Sequence, residues 1–472
     1  PFYSRSMVYT MPEFLERRYN PQSRTILSVI SLVSYVLTKV AVTVYAGGLV
    51  FQQVFGIKEL WGIDFFWIAA IGLVVLTALY TIFGGMKSVL YTSVLQTPIL
   101  LLGSLIILVL GFKELGGWDE MMRVCGAVTV NDYGDTMTNL IRSNDDANFP
   151  WLGALIGSAI IGFWYWCTDQ FIVQRVLSGK NEKEARRGTI FGAYLKLLPV
   201  FLFLIPGMIA FALHQKYIGA GGEGFLPMLA NGTANADAAF PTLVAKLLPA
   251  GVKGLVVCGI LAALMSSLAS LFNSSAMLFT IDFYKRFRPE TPEKKLVGIG
   301  QIATVVIVIL GILWIPIMRS VGDVLYTYLQ DVQSVLAPGI AAAFLLGICW
   351  KRTSAQGGMW GLIAGMIIGL TRLGAKVYYS NAGEVADSTF KYLFYDMNWL
   401  FFCGWMFLFC IIVVIVVSLA TEAPTAEKIQ GLVFGTATKE QKAATRASWD
   451  HWDIIHTVII LAITGAFYWY FW

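Results

Sequence analysis

Charged side chains are scarce in this chain of 472 residues. Only 13% are Asp, Glu, Lys or Arg, whereas soluble domains average about 25%. Hydrophobic residues make up 57%, and the mean hydropathy is +0.68. A soluble protein of this length would need a far more polar surface. The composition therefore excludes a disordered chain and an ordinary cytosolic enzyme, and it predicts an all-α polytopic membrane protein.

Motifs for metal binding and nucleophilic catalysis are also missing. The chain has three histidines and six cysteines, and the cysteines show no CxxC spacing. It contains no HExxH and no GxSxG motif. We therefore expect no enzymatic activity and no resident cofactor. The net charge of +5 is too small to indicate nucleic-acid binding.

Long apolar runs are abundant instead, and a run of about 20 residues can cross a bilayer. We expect about eleven spans. Their approximate ranges are 25–53, 63–84, 87–112, 151–173, 189–213, 252–282, 297–318, 323–349, 355–378, 397–420 and 453–471.

Basic residues concentrate in alternate segments between these spans. The basic segments are 1–24, 175–187, 285–295 and 351–352. Because Lys and Arg are retained inside, the N-terminus is expected in the cytoplasm and the C-terminus outside. The sequence predicts one membrane domain over 1–472, in the plasma (inner) membrane. It would comprise a cytoplasmic connector over 1–24 and a transmembrane bundle over 25–471.

Ionisable residues at membrane depth are costly and indicate function by default. Lys39 lies in the middle of the first span, Asp169 and Arg175 flank the end of the fourth, and Lys196 lies within the fifth. Each has a structural alternative. Asp169 and Arg175 could form an ion pair, Lys39 could snorkel or bridge helices, and Lys196 could be a packing partner.

The fourth span combines aromatic and polar residues in FWYWCTDQ, after Gly157 and Gly162. Glycine beside bulky aromatics suggests a broken helix whose freed backbone faces a ligand. Tyr and Trp rings can stack on the C–H face of a sugar. The alternative is an aromatic belt at the membrane interface.

Two further spans carry unusual polarity. The sixth reads ALMSSLASLFNSSAM, and its hydroxyls allow either close helix packing or a hard-cation site. A freed carbonyl at Ala263 would complete such a site with Ser266 and Ser267. The eighth contains Gln330, Asp331 and Gln333 near Pro338 and Gly339. This pattern suggests either a second broken helix or a capped helix start.

Three stretches, WYWCTDQFIVQRVLSGKN, SSLASLFNSSAMLFTIDFY and FLLGICWKRT, resemble the sodium/glucose cotransporter family. This is the solute:sodium symporter group. The resemblance covers essentially the whole chain. It implies the LeuT-type inverted-repeat fold and sodium-coupled sugar uptake by alternating access. It also implies that the family's first three membrane helices are absent from this chain.

The resemblance also implies roles for individual residues. Tyr165 corresponds to the inner gate under the sugar, backed by Trp166, and Tyr326 corresponds to part of the outer lid. Lys196 and Gln330 correspond to partners of the sugar hydroxyls. The implied sodium ligands are Ala263, Ser266 and Ser267.

The chain departs from the family pattern at four positions. Ser93 replaces an aspartate, and Ala269 replaces a serine, which are linked to an additional sodium site in some members. We therefore expect one sodium ion per cycle. Gly162 replaces a polar residue, and Gln333 stands where sugar carriers commonly have Thr. Both bear on the substrate, and Gln333 is a candidate substrate contact.

The expected function is sodium-coupled symport of a sugar or polyol, with sodium as a co-substrate and the lipid bilayer as the surroundings. One alternative is a carrier of myo-inositol or another non-hexose solute. The other is a substrate sensor or uniport-like channel of the same fold. A membrane enzyme is disfavoured by the missing motifs.

Overall fold

A computed structural model of the protein describes Tyr3, Val8 and residues 10–229, 232–321, 324–382 and 386–471. Nearly all of these residues are helical or lie in short connections. The helices are α1 Met11–Arg18, α2 Pro21–Phe55, α3 Phe65–Leu115, α4 Trp118–Gly126, α5 Trp151–Cys167, α6 Gln170–Leu177, α7 Glu182–Gly219, α8 Ala239–Leu247, α9 Ala250–Phe287, α10 Glu293–Val321, α11 Leu325–Cys349, α12 Ala355–Asn381, α13 Thr389–Lys391, α14 Trp399–Ala420, α15 Ala426–Ile429, α16 Lys439–Ala447 and α17 His451–Tyr470.

Several helices contain a wider, π-helical turn. These turns are Tyr35–Val40 in α2, Val200–Leu204 in α7, Leu278–Tyr284 in α9 and Tyr392–Asp396 directly after α13. A short 3₁₀ turn, Ala236–Ala238, precedes α8. Such π-turns are uncommon and frequently occur at functional sites. The turn in α2 contains Lys39, one of the four ionisable residues expected at membrane depth.

Nine of the described helices are long and apolar enough to cross a bilayer, and the bent pair α5–α6 makes ten. Two of the eleven expected spans, 63–84 and 87–112, fall almost wholly within α3. They are not separated by an interruption, because one helix of 51 residues runs from Phe65 to Leu115. At 1.5 Å per residue this helix is about 76 Å long, more than twice the hydrocarbon thickness.

Contacts divide the chain into two compact units. Unit 1 comprises residues 1–39, 144–191 and 274–459, and unit 2 comprises residues 40–143, 192–273 and 460–472. The core of unit 1 contains Phe14, Phe344 and Leu400, all completely buried. Helices α11 and α12 approach closely where a Cβ added to Gly339 would lie 2.9 Å from the Gly365 Cα atom. Small residues allow this close packing of membrane helices.

The first helix of unit 1 is held between the larger helices. Thr10 caps α1 by accepting a hydrogen bond from the Glu13 N–H group. Arg18 is 1% exposed, and it donates to the backbone oxygens of Gly347 and Trp350 at the end of α11. The Tyr19 hydroxyl donates to the Ala343 oxygen. Gly347 belongs to the last turn of α11, whose carbonyls lack intrahelical partners, so Arg18 satisfies one of them.

Unit 2 has its own apolar core, which includes Ile107, Ile209 and Val244. The buried His214 accepts a hydrogen bond at Nδ1 from the Leu226 N–H group, which fixes the loop after α7. A two-stranded hairpin, β1 Glu59–Leu60 and β2 Ile63–Asp64, precedes α3. Trp61 at its tip has a φ of 55°, a conformation that two-residue hairpin turns require.

Candidate functional site

The fourth predicted span is broken, as the sequence predicts. Helices α5 and α6 meet at an angle of 47°. The cause is a new helix start rather than the glycines. Asp169 caps α6 by accepting from the Phe171 N–H group, and Thr168 turns back to donate to the Trp164 oxygen. Gly157 lies upstream in regular helix, where a Cβ atom would come within 2.8 Å of the Leu400 oxygen.

The N-terminal segment binds both sides of this break. The Tyr3 hydroxyl donates to the Cys167 oxygen at 2.8 Å, and the Met11 N–H group donates to Gln170 Oε1 at 2.8 Å. Burial raises the pKa of Tyr3, so its hydroxyl stays protonated and keeps donating. The carbonyl at the end of α5 is therefore bonded to protein.

Asp169 also forms a buried ion pair with Lys39 of α2. The Tyr35 hydroxyl donates to Asp169 Oδ1 at 2.9 Å. Lys39 Nζ lies 4.3 Å from the centre of the Phe171 ring and 5.3 Å from that of Tyr165. Asp169 thus pairs with Lys39, not with Arg175 as one alternative had it. Lys39 does bridge helices, as the other alternative predicted.

Tyr165 and Trp166 lie at the end of α5, beside this ion pair. Their rings meet edge to face with centroids 5.2 Å apart. Trp166 is 51% exposed, whereas Trp164 is buried in the core. Tyr165 is half-buried. The three aromatic residues therefore divide into one core residue and two with accessible ring surface, and the accessible pair is the one expected to contact substrate.

The candidate residues of the eighth span share one side of α11. Tyr326, Gln330 and Gln333 are spaced four and three residues apart, which places them on one helix face. Tyr326 is exposed with its ring 6.5 Å from that of Phe149, and Gln333 is buried. The break suggested near Pro338 is not present, because α11 runs unbroken from Leu325 to Cys349. Gly339, next to that proline, packs tightly on α12 and supports the continuous helix.

A second buried charge cluster adjoins Gln330, and sequence reasoning missed it. Arg372 of α12 is completely buried, and its Nη2 donates to Asp331 Oδ1 at 3.3 Å and to the Met397 oxygen at 2.8 Å. Its guanidinium carbon lies 4.0 Å from the centre of the Phe402 ring. Lys376 Nζ lies 2.8 Å from Asp331 Oδ2. The sequence signal that could have predicted this cluster is an arginine, Arg372, within an apolar span.

The expected sodium ligands lie together on α9 in unit 2. Ser266 is buried, Ala263 and Ser267 are half-buried, and the Ser266 hydroxyl lies 2.5 Å from the Ser93 hydroxyl. The expectation of a freed carbonyl at Ala263 is not met, because the helix is regular from Ala250 to Met277. No cluster of three His, Cys, Asp or Glu side chains occurs among the described residues. The side chains of Ser266 and Ser267 offer neutral hydroxyl oxygens.

Lys196 is the remaining candidate, and it differs from the others. It lies on α7 in unit 2 with an exposed side chain. The other five candidate substrate residues, Tyr165, Trp166, Tyr326, Gln330 and Gln333, belong to unit 1.

Comparisons with known proteins agree with the helical architecture. A model of the sodium:solute symporter family matches residues 1–365. The chain belongs to the sodium:solute symporter family. It is 35% identical to the sodium/mannose cotransporter of Bos taurus, over all of this chain and 81% of that protein. It is 35% identical to the sodium/myo-inositol cotransporter 2 of Homo sapiens, over 92% of this chain and 65% of that protein.

A third relative is the sodium/glucose cotransporter 1 of Ovis aries, 37% identical over 89% of this chain and 65% of that protein. The chain thus spans about 65% of the length of the myo-inositol and glucose relatives. A solved structure of a Na⁺-coupled sialic acid symporter, bound to substrate and open outward, matches with a TM-score of 0.65. It covers 90% of this chain and 80% of that chain at 21% identity.

These matches confirm the predicted all-α fold of the LeuT type and the family resemblance. The family and the relatives are transporters rather than enzymes. Sodium is a co-substrate in this family and not a resident cofactor.

Proposed function

We propose that the protein is a sodium-coupled symporter that carries a sugar or related polyol by alternating access. The observation that carries this proposal is the 35–37% identity to cotransporters named for mannose, myo-inositol and glucose. All three solutes are ring compounds with several hydroxyl groups. The neutral hydroxyls on α9 and the accessible aromatic rings at the end of α5 suit a cation and such a solute.

The substrate contacts we propose are aromatic and amide groups. Tyr165 and Trp166 present ring faces on which a sugar can stack, and each ring also has a polar atom. Gln330 and Gln333 each offer a carbonyl and an amino group, which suit hydroxyls as donors and as acceptors. Tyr326 would cover the solute from outside, and Lys196 would donate to a hydroxyl.

Sodium would bind to the hydroxyls of Ser266 and Ser267 and to the second lone pair of the Ala263 carbonyl oxygen, whose first lone pair is used within the regular helix. Hard cations prefer such oxygen ligands. The neutral Ser93 beside Ser266 adds no charge for a second ion, which supports one sodium per cycle. One elementary charge moving through 100 mV supplies about 2.3 kcal/mol. Coupling requires that sodium bind the outward and inward states with different affinity.

The membrane arrangement follows from charge. We propose a multi-pass protein of the plasma (inner) membrane, surrounded by the lipid bilayer, with a cytoplasmic N-terminus and an outer C-terminus. The single domain over 1–472, with its connector over 1–24 and bundle over 25–471, remains part of this proposal. Nucleic acid is not a proposed partner.

A specific observation favours a second candidate. A sodium/myo-inositol cotransporter is as similar to this chain as the mannose carrier, and Gln333 replaces the Thr common in sugar carriers. Myo-inositol or another non-hexose solute is therefore the alternative substrate. A substrate sensor with this fold is the alternative that does not transport.

Uptake into proteoliposomes tests these candidates. The purified full-length protein would be given labelled glucose, mannose and myo-inositol in parallel, with an inward sodium gradient and with choline as the control. We expect uptake of at least one solute that stops when choline replaces sodium. Uptake indifferent to sodium would contradict symport. Tryptophan quenching by a solute without flux would instead indicate a sensor.

A further inference from the structure

Unit 1 contains a cavity that the transport proposal does not use. It has a volume of about 500 Å³ and lies between the start of α7 and the start of α17. This size falls within the range of small-molecule sites. Two helices supply most of its lining. On α7 the order is Glu182, Ala185, Arg186, Thr189 and Ile190, and on α17 it is Asp453, Ile454, Thr457 and Val458.

Both helices thus present charged groups where they begin, and threonine and apolar side chains line the cavity beyond them. This sequence of polarity matches a membrane lipid, whose charged headgroup continues into an acyl chain. Trp449 lines the charged end, and Trp is enriched at the level of lipid headgroups. The cavity is therefore suited to an amphipathic ligand rather than to a sugar.

The charged end combines one cation with two carboxylates. Arg186 Nη2 donates to Glu182 Oε1 at 3.2 Å and to the Ser448 hydroxyl at 3.1 Å. Ser448 in turn donates to Glu182 Oε1 at 2.9 Å. Arg186 Nε is buried and has no hydrogen-bond acceptor among the described residues. An acceptor brought by a ligand would satisfy it.

Asp453 is the second carboxylate, and its charge is not neutralised within the described residues. It is 9% exposed, and its Oδ2 accepts from the Asp450 N–H group at 3.1 Å. None of the described Lys, Arg or His side chains forms an ion pair with it. A buried carboxylate is costly unless a cation or several donors stabilise it.

We propose that this cavity binds the headgroup of an ethanolamine phospholipid. The phosphate oxygens accept from Arg186, and the primary ammonium group donates to Asp453 and Glu182. A choline headgroup has no N–H bond to donate. A glycerol headgroup has no cation, and its phosphate would add negative charge beside Asp453. The part of the acyl chain nearest the headgroup then lies along Ile190, Ile454 and Val458.

Lipid binding to the purified full-length protein, measured by native mass spectrometry, tests this inference without any transport assay. The probes are dioleoyl phosphatidylethanolamine and its mono-, di- and trimethylated forms, which keep the positive charge and lose one N–H donor at each step. We expect about tenfold weaker retention of the trimethyl form, since hydrogen bonds to charged groups are lost. Equal retention of the four lipids would overturn the proposal.

Variants tie the selectivity to this cavity. Asp453→Asn should remove most of the preference for the primary amine. Asp450→Asn is the matched control, because Asp450 pairs with Arg187 and does not line the cavity; its preference should equal that of the unmodified protein. A preference that survives Asp453→Asn would overturn the assignment.

A second variant covers the case in which Asp453→Asn fails to fold. Ile454→Trp keeps the charged end and fills the apolar part of the cavity. We expect it to abolish the selective retention of the ethanolamine lipid. Retention at the level of the unmodified protein would place the lipid elsewhere and overturn the proposal. Transport activity enters neither measurement, so the failure of symport and the failure of lipid binding are distinguishable.

Discussion

The polar groups buried in the two units differ in charge. Unit 1 holds ion pairs, Lys39 with Asp169 and Arg372 with Asp331. The polar face of α9 in unit 2 holds hydroxyls, of which Ser266 and Ser93 are in contact. In these two pairs each positive charge already has a negative partner, so the pairs have little charge left for an ion. The hydroxyl oxygens of α9 carry no charge and, being neutral, form no ion pair, so they can act as ligands of a cation.

This contrast suggests a structural role for the ion pairs of unit 1 and a cation-binding role for the hydroxyls of unit 2. The ion pairs in unit 1 fix the broken helix and α11, on which the aromatic and amide side chains stand. The hydroxyls of unit 2 would bind a cation that comes and goes. A substitution in the first group should therefore affect folding, and one in the second should affect sodium dependence.

The largest expected effect is on stability, at the Lys39–Asp169 pair. Asp169→Asn keeps an acceptor for the cap of α6 but leaves Lys39 buried without its partner. We expect a loss of about 3–5 kcal/mol in the free energy of unfolding, measured by denaturant unfolding in detergent. Lys39→Met combined with Asp169→Asn should recover most of this loss. A double variant as unstable as Asp169→Asn alone would mean that the charges are not coupled.

The next effect concerns substrate affinity at Tyr165. Tyr165→Ala removes the ring, and we expect the substrate KM to rise about tenfold or uptake to be abolished. Tyr165→Phe is the control that keeps the ring. Its substrate KM should lie between that of the unmodified protein and that of Tyr165→Ala. Initial uptake rates at saturating sodium give the comparison. If Tyr165→Ala had the same KM and uptake rate as the unmodified protein, Tyr165 would be a residue of the interfacial aromatic belt and not a substrate contact.

A comparable or smaller effect is expected for sodium at Ser267. Ser267→Ala deletes one oxygen ligand, and we expect the sodium concentration for half-maximal uptake to rise about five- to tenfold. Ser267→Thr keeps the hydroxyl, so the sodium concentration for half-maximal uptake should change much less. Folding should be unchanged in both variants, as judged by the unfolding midpoint. An unaltered sodium dependence in Ser267→Ala would exclude this serine from the site.

The smallest effect is expected at Lys196, whose side chain is exposed. Lys196→Ala should raise the substrate KM about threefold, since a hydrogen bond at an exposed side chain contributes about 0.6 kcal/mol, near the lower end of the usual range. The unfolding midpoint should stay within error. Lys196→Arg retains the charge and serves as the comparison. A loss of folded protein without a change in KM would assign Lys196 to packing.

Much of the architecture was predictable from local patterns, whereas the partners of buried charges were not. The apolar runs located the spans, and the aromatic cluster before Asp169 located the bend between α5 and α6. Lys39 and Asp169 lie 130 residues apart in sequence, so no local pattern joins them. The same holds for Arg372 and Asp331, which lie on different helices.

Helix continuity was the other point at which local patterns failed. The sequence suggested a break near Pro338 in α11 and placed a boundary between two spans within α3, and the structure contains neither interruption. Proline removes one backbone hydrogen bond, but the packing around it decides whether the helix ends. At Gly339 the backbone of α12 approaches closely, and that contact depends on residues far away in sequence.

The attachment of Arg18 and Tyr19 to carbonyls in the last two turns of α11 and directly after it has a mechanical consequence. The 25 residues of α11 extend about 38 Å, with Tyr326 and Gln330 near one end and this attachment at the other. Any axial displacement of α11 that a solute causes at the first end must either carry α1 with it or break these three hydrogen bonds. A spectroscopic probe on α1 would therefore report on solute binding from a distance.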